Sequence, residues 1–463
     1  MRGGGLSVLV MGAAAMLAAA PAWGQVSDAQ AARDRGAAAM AERRWADAEA
    51  AYEEALTLTR AETPGTDAVG EALYALAYAR SRTPGDDAWS LWAEALAVFE
   101  ANQNWARAAA AAGAAAIDHG NGSDWPEALR LARLAVTHAD RSGDPAAQGQ
   151  ARRALGLSLV EQGDYAEAET VLVQALAQLG GPDADAAAPV LDELGLVYQE
   201  THRYDRAGTV LAQAVALKER LYGADAYPVA ISLNALGALR DAQGRFDDAE
   251  RLHRRALKIA EAQGRAAAAA AIRSNLGRVI HQQGRAAEAE PTLRQAAQEV
   301  EALLGAEHED TAGAWANLAG ALQDMERHAE AATVLGDALG RYERSIGADH
   351  VQTAWTVNAL ARSTAALQGP AAAEPLYVRA LALSEARLSP AHPDRVRRAN
   401  DMAQNRLDTG RDSEAMALIR QTGEAVRSRL DAARQGGESV PALDRGRRVF
   451  GLQVRTAWTL AGQ

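Results

Sequence analysis

The 463-residue chain has a formal net charge of -12, so it lacks the basic surface that a nucleic-acid or anionic-membrane binder needs to displace counterions. It has no cysteine, which excludes disulfides, thiol catalysis and Cys-bound zinc. Its hydrophobic content is 48% but only 5% is aromatic, and alanine dominates, a composition suited to closely packed helices rather than sheets.

In chain order, Arg2 precedes an apolar stretch from Leu6 to Ala20, followed by Pro21, Ala22, Trp23 and Gly24. A short apolar core ending in small residues reads as a secretory signal over 1–24, with cleavage near residues 22–24. A membrane span needs about 20 apolar residues, so an uncleaved anchor is the weaker reading, and no later segment is apolar for long enough. The expected location is periplasmic or secreted.

Past residue 25 a single pattern recurs. Alanines fall at 48, 88, 128, 168, 207, 249, 289, 331, 373 and 415, and after each of the first nine another alanine follows seven residues later, as in Ala249 and Ala256. Seven residues are close to two helical turns, so both alanines share a face, as helices whose axes approach within about 8–10 Å require. A second ladder precedes the first: Leu155-Gly156, Leu194-Gly195, Leu236-Gly237, Leu276-Gly277, Leu318-Ala319, Leu360-Ala361 and Met402-Ala403. Glycine inside a helix costs about 1 kcal/mol relative to alanine, so its recurrence at one phase implies a packing reason. A third ladder is aromatic, with Trp45, Trp125, Tyr165, Tyr204 and Phe246 three residues before the landmark alanine. Glu326 and Gln368 stand where other repeats have a turn glycine such as Gly244.

Each repeat is thus a helical hairpin, and the whole reads as all-α. Residues 25–145 form less regular hairpins rich in Trp, residues 146–435 the regular array, and residues 436–463 a C-terminal helix with an apolar stripe of Val449, Phe450, Val454, Ala457, Trp458 and Leu460 that caps the stack.

The Leu-Gly pair, the aromatic, and the two alanines, carried nearly whole by Leu194, Gly195, Tyr198, Tyr204, Ala207, Leu211 and Ala214, resemble the tetratricopeptide repeat (TPR). The period of about 40–42 residues and linkers such as Leu303 to Ala312 look like the kinesin light chain-type subclass. The resemblance implies a right-handed α-solenoid of about ten antiparallel hairpins, a TPR-like superhelix whose first helices line a concave, peptide-binding side.

No catalytic constellation is found: neither a phosphate loop nor a Gly-x-Ser-x-Gly turn occurs, and His308-Glu309 lacks the second histidine of a zinc-protease signature. His308, His350 and His392 recur at 42-residue steps, which sets them about 10 Å apart or more, too far for one metal, and they read as linker residues. No enzyme activity, cofactor or metal is expected. The resemblance assigns peptide-backbone binding to the Asn near the Leu-Gly pair, and Asn234, Asn275, Asn317, Asn358 and Asn400 occupy that place in five successive repeats. Purely intramolecular bonding of these amides is the equal alternative. Arg278 and Arg362 join them as candidate groove residues, with Arg240, His281, Gln282, Gln404 and Trp355 nearby. The expected role is an exported adaptor or assembly scaffold for a protein or peptide partner, the alternatives being a self-associating structural protein or a hydrolase with an unrecognised site.

Overall fold

The computed structural model describes residues 27–82, 88–121 and 124–435. The expected signal (1–24) and C-terminal capping helix (436–463) lie outside them. Among the described residues there are twenty α-helices and no strand, as the alanine-rich periodicity requires.

The helices form ten successive hairpins: α1 (Asp28–Ala41) with α2 (Trp45–Glu62), α3 (Asp67–Arg80) with α4 (Trp89–Ala101), α5 (Trp105–Asn121) with α6 (Trp125–Ser142), α7 (Pro145–Gln162) with α8 (Tyr165–Gln178), and α9 (Ala188–Glu200) with α10 (Tyr204–Tyr222). They continue as α11 (Tyr227–Ala242) with α12 (Phe246–Ala262), α13 (Ala266–Gln282) with α14 (Ala286–Leu304), α15 (Glu309–Asp324) with α16 (His328–Ser345), α17 (Val351–Gln368) with α18 (Pro370–Arg387), and α19 (Pro393–Asp408) with α20 (Asp412–Gln435). The chain divides into two compact units between Ala224 and Asp225. In the unit from Asp225, first helices also touch the next first helices, α11 on α13, α13 on α15 and α15 on α17.

All ten landmark alanines and their nine partners are buried. The glycines of the second ladder admit a large residue four positions beyond the landmark: a Cβ on Gly156 would lie 2.5 Å from Leu172 Cδ2, on Gly195 2.5 Å from Leu211 Cδ2, and on Gly277 2.7 Å from Leu293 Cδ2. The helix penalty of glycine is therefore offset by close packing of the facing helix. The five aromatics of the third ladder are each the first residue of a second helix.

The turns between the two helices of a hairpin need one left-handed residue. Gly163, Gly244, Gly284 and Gly410 take it freely, whereas Arg43, His202 and Glu326 adopt φ near 60° despite their side chains. Gln368 does not take the turn role: it is the last residue of α17, and Gly369 carries the positive φ.

His308, His350 and His392 are N-caps. Their Nδ1 atoms accept from the backbone N–H of Asp310 (3.2 Å), Gln352 (3.3 Å) and Asp394 (3.2 Å), satisfying a donor that α15, α17 and α19 leave free in their first turn. This gives the linker histidines a specific structural task.

An ion-pair ladder also joins successive hairpins. The arginine that precedes a second helix reaches the glutamate one residue past the previous landmark: Arg203 to Glu169 (2.7 Å), Arg285 to Glu250 (2.8 Å), Arg327 to Glu290 (3.7 Å) and Arg411 to Glu374 (2.7 Å). The hydrogen bond from Arg203 holds the Glu169 carboxyl below its usual range. The planar guanidinium suits this work because one fork bridges two carboxylates, as Arg285 does between Glu250 and Glu288.

Candidate functional site

The candidate site is the first-helix face of α11, α13, α15, α17 and α19. The asparagines do not share one register on it. Asn234, Asn358 and Asn400 lie two residues before the leucine or methionine of the second ladder, whereas Asn275 and Asn317 lie one residue before it.

That offset has a geometric purpose, because the earlier position in one hairpin meets the later position in the next. Asn275 Nδ2 donates to Asn234 Oδ1 at 3.2 Å, and Asn358 Nδ2 donates to Asp401 Oδ2 at 2.6 Å. In the other compact unit the same rung is ionic, with Arg153 Nε donating to Glu193 Oε1 at 2.8 Å. Burial pushes Glu193 up to about 7 against the opposing pull of Arg153. Asn358 and Asp401 are both largely buried, and burial raises Asp401 while the bond from Asn358 lowers it.

A second set of inter-hairpin contacts runs one to two turns further along. Arg278 pairs with the buried Asp241 of α11, and Gln282, with its amide nitrogen donating to Asp241 Oδ1 at 2.8 Å and its oxygen accepting from Arg278 Nη1 at 3.1 Å, completes that cluster. His281 Nε2 lies 2.8 Å from Asp324 Oδ2, and Arg362 Nη2 lies 3.8 Å from Asp324 Oδ1. Buried Gln323 Nε2 donates to Ala359 O (2.6 Å) and Ser363 Oγ (2.7 Å).

The structure therefore separates the candidates. Asn234, Asn275 and Asn358 spend at least one amide bond on a neighbouring hairpin, Asn400 also has a partner, and Arg278 is committed to Asp241. Asn317 is half-buried on α15 and makes no side-chain hydrogen bond among the described residues. The position that the rung pairs with it in the preceding hairpin holds Ser274, a small residue. Arg362 remains half exposed, its ion pair among the described residues being the long contact to Asp324. Trp355, Asn358 and Arg362 fall at three- and four-residue spacing on α17, so they share its face.

Arg240, beside this face on α11, bonds Gln243 Oε1 at 2.8 Å within its own turn, and burial followed by the charge of Arg245 pulls it down. Gln404 bonds Asp408 at 2.8 Å within α19. Among the described residues no group of three or more His, Asp or Glu side chains is placed to hold a metal ion, and no helix is long and apolar enough to cross a membrane.

The rung had a sequence signal that the count of asparagines obscured. Once the two registers are separated, Arg153/Glu193 and Asn358/Asp401 can be read as complementary pairs at the same positions.

Residues 185–262, 268–343 and 310–386 match the family model described as Tetratricopeptide repeat. A comparison with curated protein sequences gives no match. Among solved structures, aspartyl phosphate phosphatase F from Bacillus subtilis is 13% identical, with 87% of this chain and 96% of that one covered at a TM-score of 0.51. NprR in complex with its cognate peptide NprX is 13% identical, with 67% and 84% covered at 0.50. The Signal Transduction ATPase with Numerous Domains (STAND) protein with a tetratricopeptide repeat sensor from Pyrococcus horikoshii is 11% identical, with 81% and 57% covered at 0.50. At these identities the likeness is one of fold.

Proposed function

We propose that this tetratricopeptide-repeat protein is an adaptor that captures an extended peptide segment of a protein partner along the first-helix face of the unit from Asp225. The observation that carries the reading is Asn317: its amide is uncommitted among the described residues, between the Asn234–Asn275 rung on one side and the Asn358–Asp401 rung on the other. An amide supplies one donor pair and one acceptor, matching the alternating groups of an extended backbone. Arg362 and Trp355 on the adjoining helix add a charge and a flat apolar surface. NprR, a fold neighbour, is solved with a peptide bound, which supports a peptide as the class of ligand.

The period of about 40–42 residues and the repeated histidine-capped linkers support assigning the repeats to the kinesin light chain-type subclass. The apolar stretch from Leu6 to Ala20, followed by small residues, supports export to the periplasm or beyond, and sequencing of the N-terminus of the protein recovered from that fraction tests it.

A photo-crosslinking residue in place of Asn317 tests the binding face, with the same residue in place of Arg251 on the exposed outer side of α12 as control. A discrete crosslinked partner at position 317 and not at 251 is expected. Equal labelling at both positions contradicts a groove.

A further inference from the structure

His253 of α12 occupies the position that Leu172, Leu211, Leu293 and Leu335 fill in four other second helices, four residues beyond the landmark alanine. Its ring is fully buried and rests on the backbone of Gly237 in α11: a Cβ there would lie 2.7 Å from Cε1, 2.9 Å from Nδ1 and 3.0 Å from Nε2. Neither ring nitrogen has a hydrogen-bond partner. A leucine site has thus been given two polar atoms and no means of satisfying them, which costs stability that the equivalent leucines do not.

The surroundings offer nothing to a second proton. From α13, the guanidinium of Arg278 acts on the ring and opposes a positive charge, although it is neutralised in part by Asp241. From α11, Asp241 is engaged by Arg278 and makes no bond to the imidazole. On α12 itself, Glu250 and Arg254 pair with each other at 2.7 Å, at the surface. Burial, followed by Arg278, pulls the imidazole down to about 3.

From this packing we infer that the α11–α12 hairpin is an acid-sensitive joint of the array, which opens when His253 takes up a proton that its site against Gly237 cannot hold. The direction follows from linkage. In the opened hairpin the ring ionises near 6.5, and in the closed one only near 3, so between those values the open state binds more protons. Closure is fully favoured above the upper value and weakens as pH falls through the window, by up to about tenfold in the opening equilibrium per pH unit. The joint bears Asn234 and Asp241, so its opening also releases the contacts that these residues make to α13.

Hydrogen exchange on the full chain tests this, with opening of α11–α12 compared at pH 7 and pH 5 after correction for intrinsic rates, and with the α7–α8 hairpin, which has no histidine and carries Leu172 against Gly156, as internal control. The expected result is an opening equilibrium that rises by at least tenfold in α11–α12 and does not rise in α7–α8, where the Glu193 bonded by Arg153 acts in the opposite direction. In His253→Leu, whose side chain the other repeats already accept, the rise is lost. An equal rise in both hairpins, or its persistence in His253→Leu, overturns the inference.

Discussion

Asn358 on α17 donates its amide to Asp401 on α19 at 2.6 Å, and this bond is the same rung that joins Asn234 to Asn275 and Arg153 to Glu193. The face expected to bind a partner is thus also the face on which hairpins bind each other. On the proposed reading, stability and recognition are distributed over different members of one ladder.

Asn358→Leu removes the amide that faces Asp401 and leaves a mostly buried carboxylate without that donor. We expect a loss of about 1–3 kcal/mol in denaturant unfolding at neutral pH. Asn317→Ala, which breaks no intramolecular side-chain bond, is expected to stay within about 0.5 kcal/mol of the parent. A reversed order of the two costs contradicts the division of labour.

Glu326 holds φ at 60° in the α15–α16 turn, where four other turns place glycine. Glu326→Gly relieves left-handed strain and is expected to stabilise the fold by about 0.5–1 kcal/mol, with the entropy cost of glycine already subtracted. The converse change Gly244→Ala, at φ 73°, is expected to destabilise by about 1 kcal/mol. Thermal midpoints of the two variants against the parent check both signs.

Gly195→Ala places a methyl group 2.5 Å from Leu211 Cδ2. The gain in helix propensity, about 1 kcal/mol, is set against overpacking of about 1–3 kcal/mol, so a net loss is expected. If the contact is the cause, the double change Gly195→Ala with Leu211→Ala is less costly than the sum of the two single changes, which a double-mutant cycle of unfolding free energies reads directly.

The three histidine caps each accept a first-turn backbone N–H through Nδ1. Replacing His308, His350 or His392 with Ala removes that acceptor and is expected to cost about 0.5–2 kcal/mol in denaturant unfolding, whereas replacement with Asn keeps an acceptor and is expected to cost less. An equal cost for the Ala and Asn variants excludes the capping role.

The hairpins were legible in the sequence because burial at the landmark positions admits only small side chains, and the same constraint acts ten times. Ala249, Ala256 and Gly237 all fall where the periodicity requires. The pair Gln368 and Gly369 escaped because a turn shifted by one residue leaves the alanine spacing intact. The rung escaped for another reason: it depends on which residue of α17 meets which residue of α19, and a pattern read one repeat at a time contains no such relation. Asn358 and Asn317 are both asparagines beside the second ladder, yet Asn358 stands at the earlier register and meets Asp401, whereas Asn317 stands at the later one, whose paired position in the preceding hairpin is Ser274.

The central claim is that the uncommitted amide of Asn317 and the half-exposed guanidinium of Arg362 bind a peptide. Its most direct test is the affinity of the full chain for the segment crosslinked at position 317, measured by calorimetry for the parent and for Asn317→Ala with Arg362→Ala. Loss of two hydrogen-bonding groups is expected to weaken binding by about tenfold or more while the thermal midpoint stays unchanged. An affinity equal to that of the parent contradicts the account.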